Sequence, residues 1–172
     1  PGRAFGSGSH ASTQLAVELL CDQLGVLADQ AVSSPRVADI GCGSGVLAVT
    51  AAILGATCVG VDVDPAAIDA TNANATANGV AAAIEVRPGS VKEASGEYEL
   101  AVANVTIDIH ESIAADFHRH LVARHVIVAG LLAGPQEQRV ARAYDAEVVE
   151  RRQQGEWVAL VLGLHDALPS DR

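Results

Sequence analysis

Aromatic side chains are scarce in this chain of 172 residues, which has two Phe, two Tyr and one Trp, and methionine is missing altogether. Apolar residues nevertheless make up 49% of it, mostly Ala and Val, so a core must be assembled from small aliphatic groups. With 19% charged residues the composition is that of a globular protein and excludes a disordered or collagen-like chain. Cations are few as well: 11 Lys and Arg stand against 21 Asp and Glu, for a net charge of -10. Affinity for a polyanion comes mainly from Lys and Arg neutralising phosphates, so no direct nucleic-acid partner is expected. The same charge would suit a basic protein partner, or serve solubility alone. Cysteines number three (Cys21, Cys42 and Cys58), an odd set without a CxxC pair, which points to reduced thiols in a cytoplasmic protein. No uncharged apolar run reaches the roughly 18 residues of a membrane span. The opening PGRAFGSGSH lacks the basic-then-apolar layout of a signal peptide, so no membrane role is expected. The length accords with a single domain, 1–172. A start at Pro1 and the missing methionine suggest a domain taken from a longer protein.

What the chain does have is alternation. Leu15, Leu19, Leu20 and Leu24 recur at helical spacing and predict a helix from residue 12 to about 29. Val37 to Ile40 reads as a strand, the glycine loop Asp39 to Gly45 follows, and VLAVTAAIL predicts a buried helix ended by Gly55. Cys58 to Val61 is a second strand, and Pro65 opens a helix that ends at Asn78-Gly79. Further strands are expected at Ile84 to Val86, Leu100 to Ala103 and Val126 to Ala129, with helices near 107–122 and 135–145. Ala146 to Val149 and Trp157 to Leu162, separated by the polar turn RRQQGE, predict a closing antiparallel hairpin, and HDALPSDR a frayed tail. The pattern is that of an α/β protein with a doubly wound, mostly parallel seven-stranded sheet, whose ligands bind at the carboxyl ends of the strands.

The glycine loop, DIGCGSG, joins a strand to a helix, where backbone can approach a ligand and free N–H groups are on offer. A dinucleotide fingerprint would require a glycine at Val46; here the glycines are 41, 43 and 45, preceded by Asp39, which resembles the S-adenosylmethionine loop of class I methyltransferases. Asp62, 21 residues beyond Gly41 at the end of the second strand, is placed to accept the two ribose hydroxyls of such a ligand. The plainer role, capping the helix opened by Pro65, suits Asp64 better.

Four segments read in order, PGRAFGSGSHASTQLAVELL, ADIGCGSGVLAVTAAILGA, VGVDVDPAAIDATNANATANGV and GEWVALVLG, resemble the catalytic domain of the PrmA family, which methylates a ribosomal protein of the large-subunit stalk base. The opening AFG-x-G-x-H-x-x-T block is the most specific of them. The resemblance implies that Thr13 touches the cofactor, Gly41 lies under its methionine part, Asp62 holds its ribose and Asn104, in VANV, faces the reacting methyl group as the catalytic residue. Phe5 and Gly6 would close the pocket, and His10 would line it. Core packing for Phe5 and a helix cap for Thr13 remain the plain alternatives.

The chain departs from related patterns in two places. Nucleobase and glutamine methyltransferases carry N-P-P-[YF] where this chain has Asn104-Val105-Thr106-Ile107, which disfavours a planar-nitrogen acceptor. Thr106-Ile107-Asp108 also differs from the usual PrmA continuation, so the acceptor side is the least constrained. Nothing in the chain matches the family's N-terminal recognition domain. His110, with Asp108 and Glu111, is either a proton acceptor near the substrate or part of a solvated helix face. His118 and His120, two apart, point to different sides of a helix, and no metal site is expected.

The expectation is therefore an S-adenosylmethionine-dependent methyltransferase acting on amino groups of a ribosomal protein. A small-molecule methyltransferase and a non-catalytic cofactor-binding module are the alternatives.

Overall fold

The computed structural model describes residues 10–164. Seven strands form one sheet in the order β3-β2-β1-β4-β5-β7-β6. The parallel strands are β1 (Arg36–Ile40), β2 (Thr57–Asp62), β3 (Ile84–Pro88), β4 (Gly96–Asn104) and β5 (Leu121–Leu132). The hairpin β6 (Ala146–Gln154) and β7 (Trp157–Leu164) closes the sheet, with β7 antiparallel to β5 and β6 at the edge.

Alternate residues of each strand feed two separate cores, as the two-residue period of a strand requires. Val37, Cys58, Leu100, Ile127 and Val161 face α1 (Ala11–Asp29), α2 (Val46–Ile53) and α3 (Pro65–Ala77). Ala38, Val59, Ala101, Val126 and Leu160 face α4 (Ile107–His120) and α5 (Pro135–Ala143). All four leucines of the predicted stripe, Leu15, Leu19, Leu20 and Leu24, are buried in the first core. In α2, Ala48, Ala51 and Ala52 are buried, and their small side chains let the helix backbone lie close to the sheet. The large side chains gather in the second core, where Phe117 and Tyr144 meet edge to face with ring centroids 5.2 Å apart.

Several strand boundaries differ from the sequence reading. RRQQGE is not a loop: β6 runs through Gln154, and the turn is reduced to Gly155 and Glu156, with Gly155 at φ 60°. An edge strand exposed on both faces can be polar throughout, so it carries no alternation to read. Arg152 of that strand reaches back to Glu18 and Asp22 of α1 and to Glu150. Strands β4 and β5 also begin several residues before the predicted runs, at Gly96 and Leu121 on the amino edge of the sheet.

Candidate functional site

The carboxyl ends of β1, β2 and β4 lie side by side, and three sequence segments meet there. The loop after β1 is held from several directions. Gly41 and Cys42 both donate backbone N–H groups to the Val61 carbonyl, at 2.8 and 3.0 Å. From α3, the Thr71 hydroxyl donates to the Gly43 carbonyl (3.1 Å) and the Asn74 amide to that of Ser44 (2.8 Å). Gly45 turns the chain into α2 at φ 77°, and an added Cβ would stand 2.6 Å from Thr71 Cγ2, so both its backbone conformation and its surroundings exclude a side chain. Thr71 and Asn74 escaped the sequence reading: a Thr and an Asn three residues apart on a helix look like a solvated face.

Asp39 lies beneath this loop and is 1% exposed. One carboxylate oxygen accepts from the Ala48 N–H of the first turn of α2 (3.1 Å), which the N-cap Gly45 cannot do for lack of a side chain. The other oxygen, Oδ1, is buried without a hydrogen-bond partner. Burial, with a smaller contribution from the Asp62 charge, pushes the Asp39 carboxyl up to about 7.

Asp62 stands at the end of β2 and is half-buried. Its oxygens accept from the N–H groups of Gly43 and Asp64, each at 2.9 Å, which ties the glycine loop to the second strand. Asp64 is the N-cap of α3, accepting from Ala66 N–H at 2.9 Å, so the capping role falls to Asp64 and not to Asp62. Val63 between them is 78% exposed, an apolar side chain presented beside the carboxylate.

Asn104 ends β4. Its side-chain amide donates to the Thr13 hydroxyl at 3.1 Å, a bond between residues 91 apart in sequence. Thr13 is buried in the first turn of α1 and does not cap it; the cap is His10, whose Nδ1 accepts from Ser12 N–H. The His10 ring stands exposed against the edge of Trp157, with centroids 4.6 Å apart. Trp157, the first residue of the antiparallel β7, is thereby brought to the same end of the sheet as Asn104 through its pairing with Leu132. Thr106 is exposed at the N-cap of α4, and its hydroxyl makes no capping bond. Phe5 and Gly6 lie outside the described residues.

His110 corrects the reading of a solvated helix face. Its side chain is 0% exposed, with Nδ1 3.2 Å from the Tyr144 hydroxyl and Nε2 3.0 Å from the Ala129 carbonyl oxygen. Burial lowers the imidazole to about 4 and keeps it neutral. The ring opens onto protein rather than onto the end of the sheet. Four-residue spacing places His110 one helical turn beyond Thr106, under the Asn104–Thr106 loop, where sequence reasoning saw only a polar letter among Asp108 and Glu111. Those neighbours do lie outside, paired with Arg139 of α5. Among the described residues, no three or more His, Cys, Asp or Glu gather as metal ligands, and no helix is long and apolar enough to cross a membrane.

A seven-stranded sheet whose last strand inserts antiparallel beside β5, with a glycine loop after β1 and a carboxylate after β2, is the fold of the α/β methyltransferases. A ribosomal protein L11 methylase from Lactobacillus delbrueckii subsp. bulgaricus superposes with a TM-score of 0.76 at 26% identity, over 94% of this chain and 83% of that one. An RNA methyltransferase from Salinibacter ruber shares the fold at 16% identity, with a TM-score of 0.64 over 90% of this chain and 95% of that one.

The family described as "Ribosomal protein L11 methyltransferase (PrmA)" matches residues 1–164, and the chain belongs to that family. Relatives named ribosomal protein L11 methyltransferase include those of Thermotoga neapolitana (33% identical over 94% of this chain and 60% of the relative) and Pelotomaculum thermopropionicum (38%, over 95% and 53%). The chain thus spans between about half and three-fifths of the length of these curated relatives.

Proposed function

We propose that this chain is the catalytic part of an S-adenosylmethionine-dependent methyltransferase that modifies amino groups of a ribosomal protein. The observation that carries the reading is the hydrogen bond from Asn104 to Thr13, which joins the opening block to the end of β4 beside the glycine loop. With Nδ2 donating to the Thr13 hydroxyl, Oδ1 is left to accept from an incoming group.

The residues present fit the cofactor. Each Asp62 oxygen accepts one backbone N–H and keeps a lone pair for a ribose hydroxyl. Val63 offers exposed apolar surface for the flat face of a base. The glycines bring backbone within reach of the methionine part. Asp39, buried under the loop, serves the site through its cap on α2. When bound, the sulfonium supplies the methyl group and leaves as a neutral thioether, so the protein's task is placement of a neutral nucleophile. Asn104 Oδ1, accepting an amine N–H, turns the nitrogen lone pair toward the methyl; an amide is no base, so the amine proton must pass to water. His10 and Thr106, both exposed, would border the acceptor. A net charge of -10 favours a basic protein over a nucleic acid as that acceptor.

Calorimetric titration tests the cofactor: S-adenosylmethionine binds the unaltered chain, and Asp62→Ala weakens binding about a hundredfold through the lost ribose and loop contacts. Absence of binding to the unaltered chain would sink the reading. Transfer of labelled methyl to ribosomal proteins, with the unfractionated set as acceptor, tests the substrate; label appearing only on small molecules would replace a protein acceptor by a small one.

A further inference from the structure

The loop that carries Asn104 is wedged between two glycines. Val105 Cγ1 lies 2.8 Å from where a Cβ on Gly41 would stand. On its other side the Val105 carbonyl occupies the space of a Cβ on Gly130. Gly130, at φ 82°, sits in a bulge of β5: pairing with β7 runs through Val128–Leu160, breaks, and resumes at Leu131–Val158. Ala129, next to it, is the residue in register with Asn104 across the parallel ladder. The placement of Asn104 is therefore set by the bulge as much as by β4 itself.

His110 holds that bulge. Its Nε2 faces the Ala129 carbonyl, which can only accept, so Nε2 carries the proton. Nδ1 of the neutral ring is then an acceptor, and the Tyr144 hydroxyl donates to it. Tyr144 is itself fully buried against Phe117, so the chain Tyr144 to His110 to Ala129 is anchored in the second core and has one allowed set of donors and acceptors. Backbone closes the arrangement, since His110 N–H donates to the Thr106 carbonyl at 3.0 Å.

We propose that His110 is a positioning residue for the acceptor side: as a neutral Nε2–H imidazole linking Tyr144 to Ala129, it presses the β5 bulge against Val105 and so aims the Asn104 amide. It sets turnover rather than cofactor affinity, because the glycine loop has its own supports in Thr71, Asn74 and Asp62. The statement about turnover rests on the methyltransferase reading above; the statement about the Asn104 amide does not.

Three variants separate the parts. His110→Leu removes both hydrogen bonds, His110→Gln places an amide N–H near the position of Nε2, and Tyr144→Phe removes only the donor to Nδ1. Two readouts apply to each: the Asn104 side-chain amide resonances in a nitrogen–proton correlation spectrum, and kcat alongside the Kd for S-adenosylmethionine. In His110→Leu the Asn104 resonances shift and broaden and kcat falls between about ten- and a hundredfold, as misplacement on the scale of an ångström does. Kd stays within about twofold, and His110→Gln restores most of kcat. Should His110→Leu not fold, Tyr144→Phe still shifts the Asn104 resonances, by less. Unmoved Asn104 resonances in folded His110→Leu, or in Tyr144→Phe should His110→Leu not fold, overturn the proposal, as does a Kd that rises in step with the fall in kcat. Shifted resonances in a protein whose unaltered form transfers no methyl group uphold the positioning role and reject the methyltransferase reading instead.

Discussion

The two loops at the carboxyl end of the sheet are built on different plans. The one after β1 is tied down by a dense set of hydrogen bonds to β2 and to α3, and its glycines turn the chain at positive φ, with Gly45 leaving no room for a side chain. The one after β4 has few bonds of its own. It is held by a threonine 91 residues from Asn104, by the glycine of a bulge 25 residues beyond Val105, and by a histidine whose ring reaches it through β5. The first loop is fixed through hydrogen bonds made by its own backbone; the second takes its geometry from the core that lies beneath it.

The largest expected effects come from crowding either glycine support. Gly45→Ala and Gly130→Ala each combine a left-handed backbone with a collision, and each should cost about 3 kcal/mol in urea unfolding. The contrast lies in function: Gly45→Ala abolishes cofactor binding, whereas Gly130→Ala retains it and loses turnover. Equal losses of binding in the two variants would erase the distinction between the loops.

Next come the buried groups beneath each loop, whose pH dependences have opposite sign. Asp39, raised to about 7 by burial, binds a proton in the folded protein that it lacks when unfolded, so its penalty is full above pH 7 and is relieved as pH falls toward the ordinary carboxylate range. His110, lowered to about 4, does the reverse: the unfolded imidazole takes up a proton below about 6.5 that the folded one refuses, so stability drains away as pH falls from there toward 4. The two slopes oppose one another in the unaltered protein. Asp39→Asn should stabilise it by on the order of 2 kcal/mol at pH 8 and leave the His110 slope exposed at lower pH. His110→Gln should leave the Asp39 slope. Denaturant midpoints measured at a series of pH values decide both.

A smaller effect is expected at the reacting end. Asn104→Ala should reduce kcat between about ten- and a hundredfold with little change in cofactor affinity, as loss of a positioned hydrogen-bonding group does. The smallest belongs to its partner: Thr13→Val leaves the amide N–H without its acceptor, at about 1 kcal/mol. A Thr13→Val protein as slow as Asn104→Ala would show that the threonine touches the reactants itself.

Most of the strand-helix alternation was legible because apolar runs flanked by glycine, proline and aspartate carry their own signal. Val37 to Ile40, Pro65 and Asn78-Gly79 all stand where the sequence placed them. The same holds for Asp64, whose capping role follows from the position of Pro65. Legibility failed where neither periodicity nor punctuation exists. The polar edge strand β6 hid in RRQQ, and Thr71 and Asn74 looked like solvent-facing helix.

The sequence alone determined the order of elements, the class of fold, the glycine loop and the carboxylate that follows it, because each depends on neighbours within a few residues. Only the tertiary structure decided what surrounds Asn104. Thr13, Gly130, His110 and Tyr144 are scattered over more than 130 residues, and a buried histidine and a solvated one are written with the same letter. Burial and hydrogen-bond partners are properties of the packed chain, and there they turn His110 from a candidate surface base into a neutral strut beneath the site.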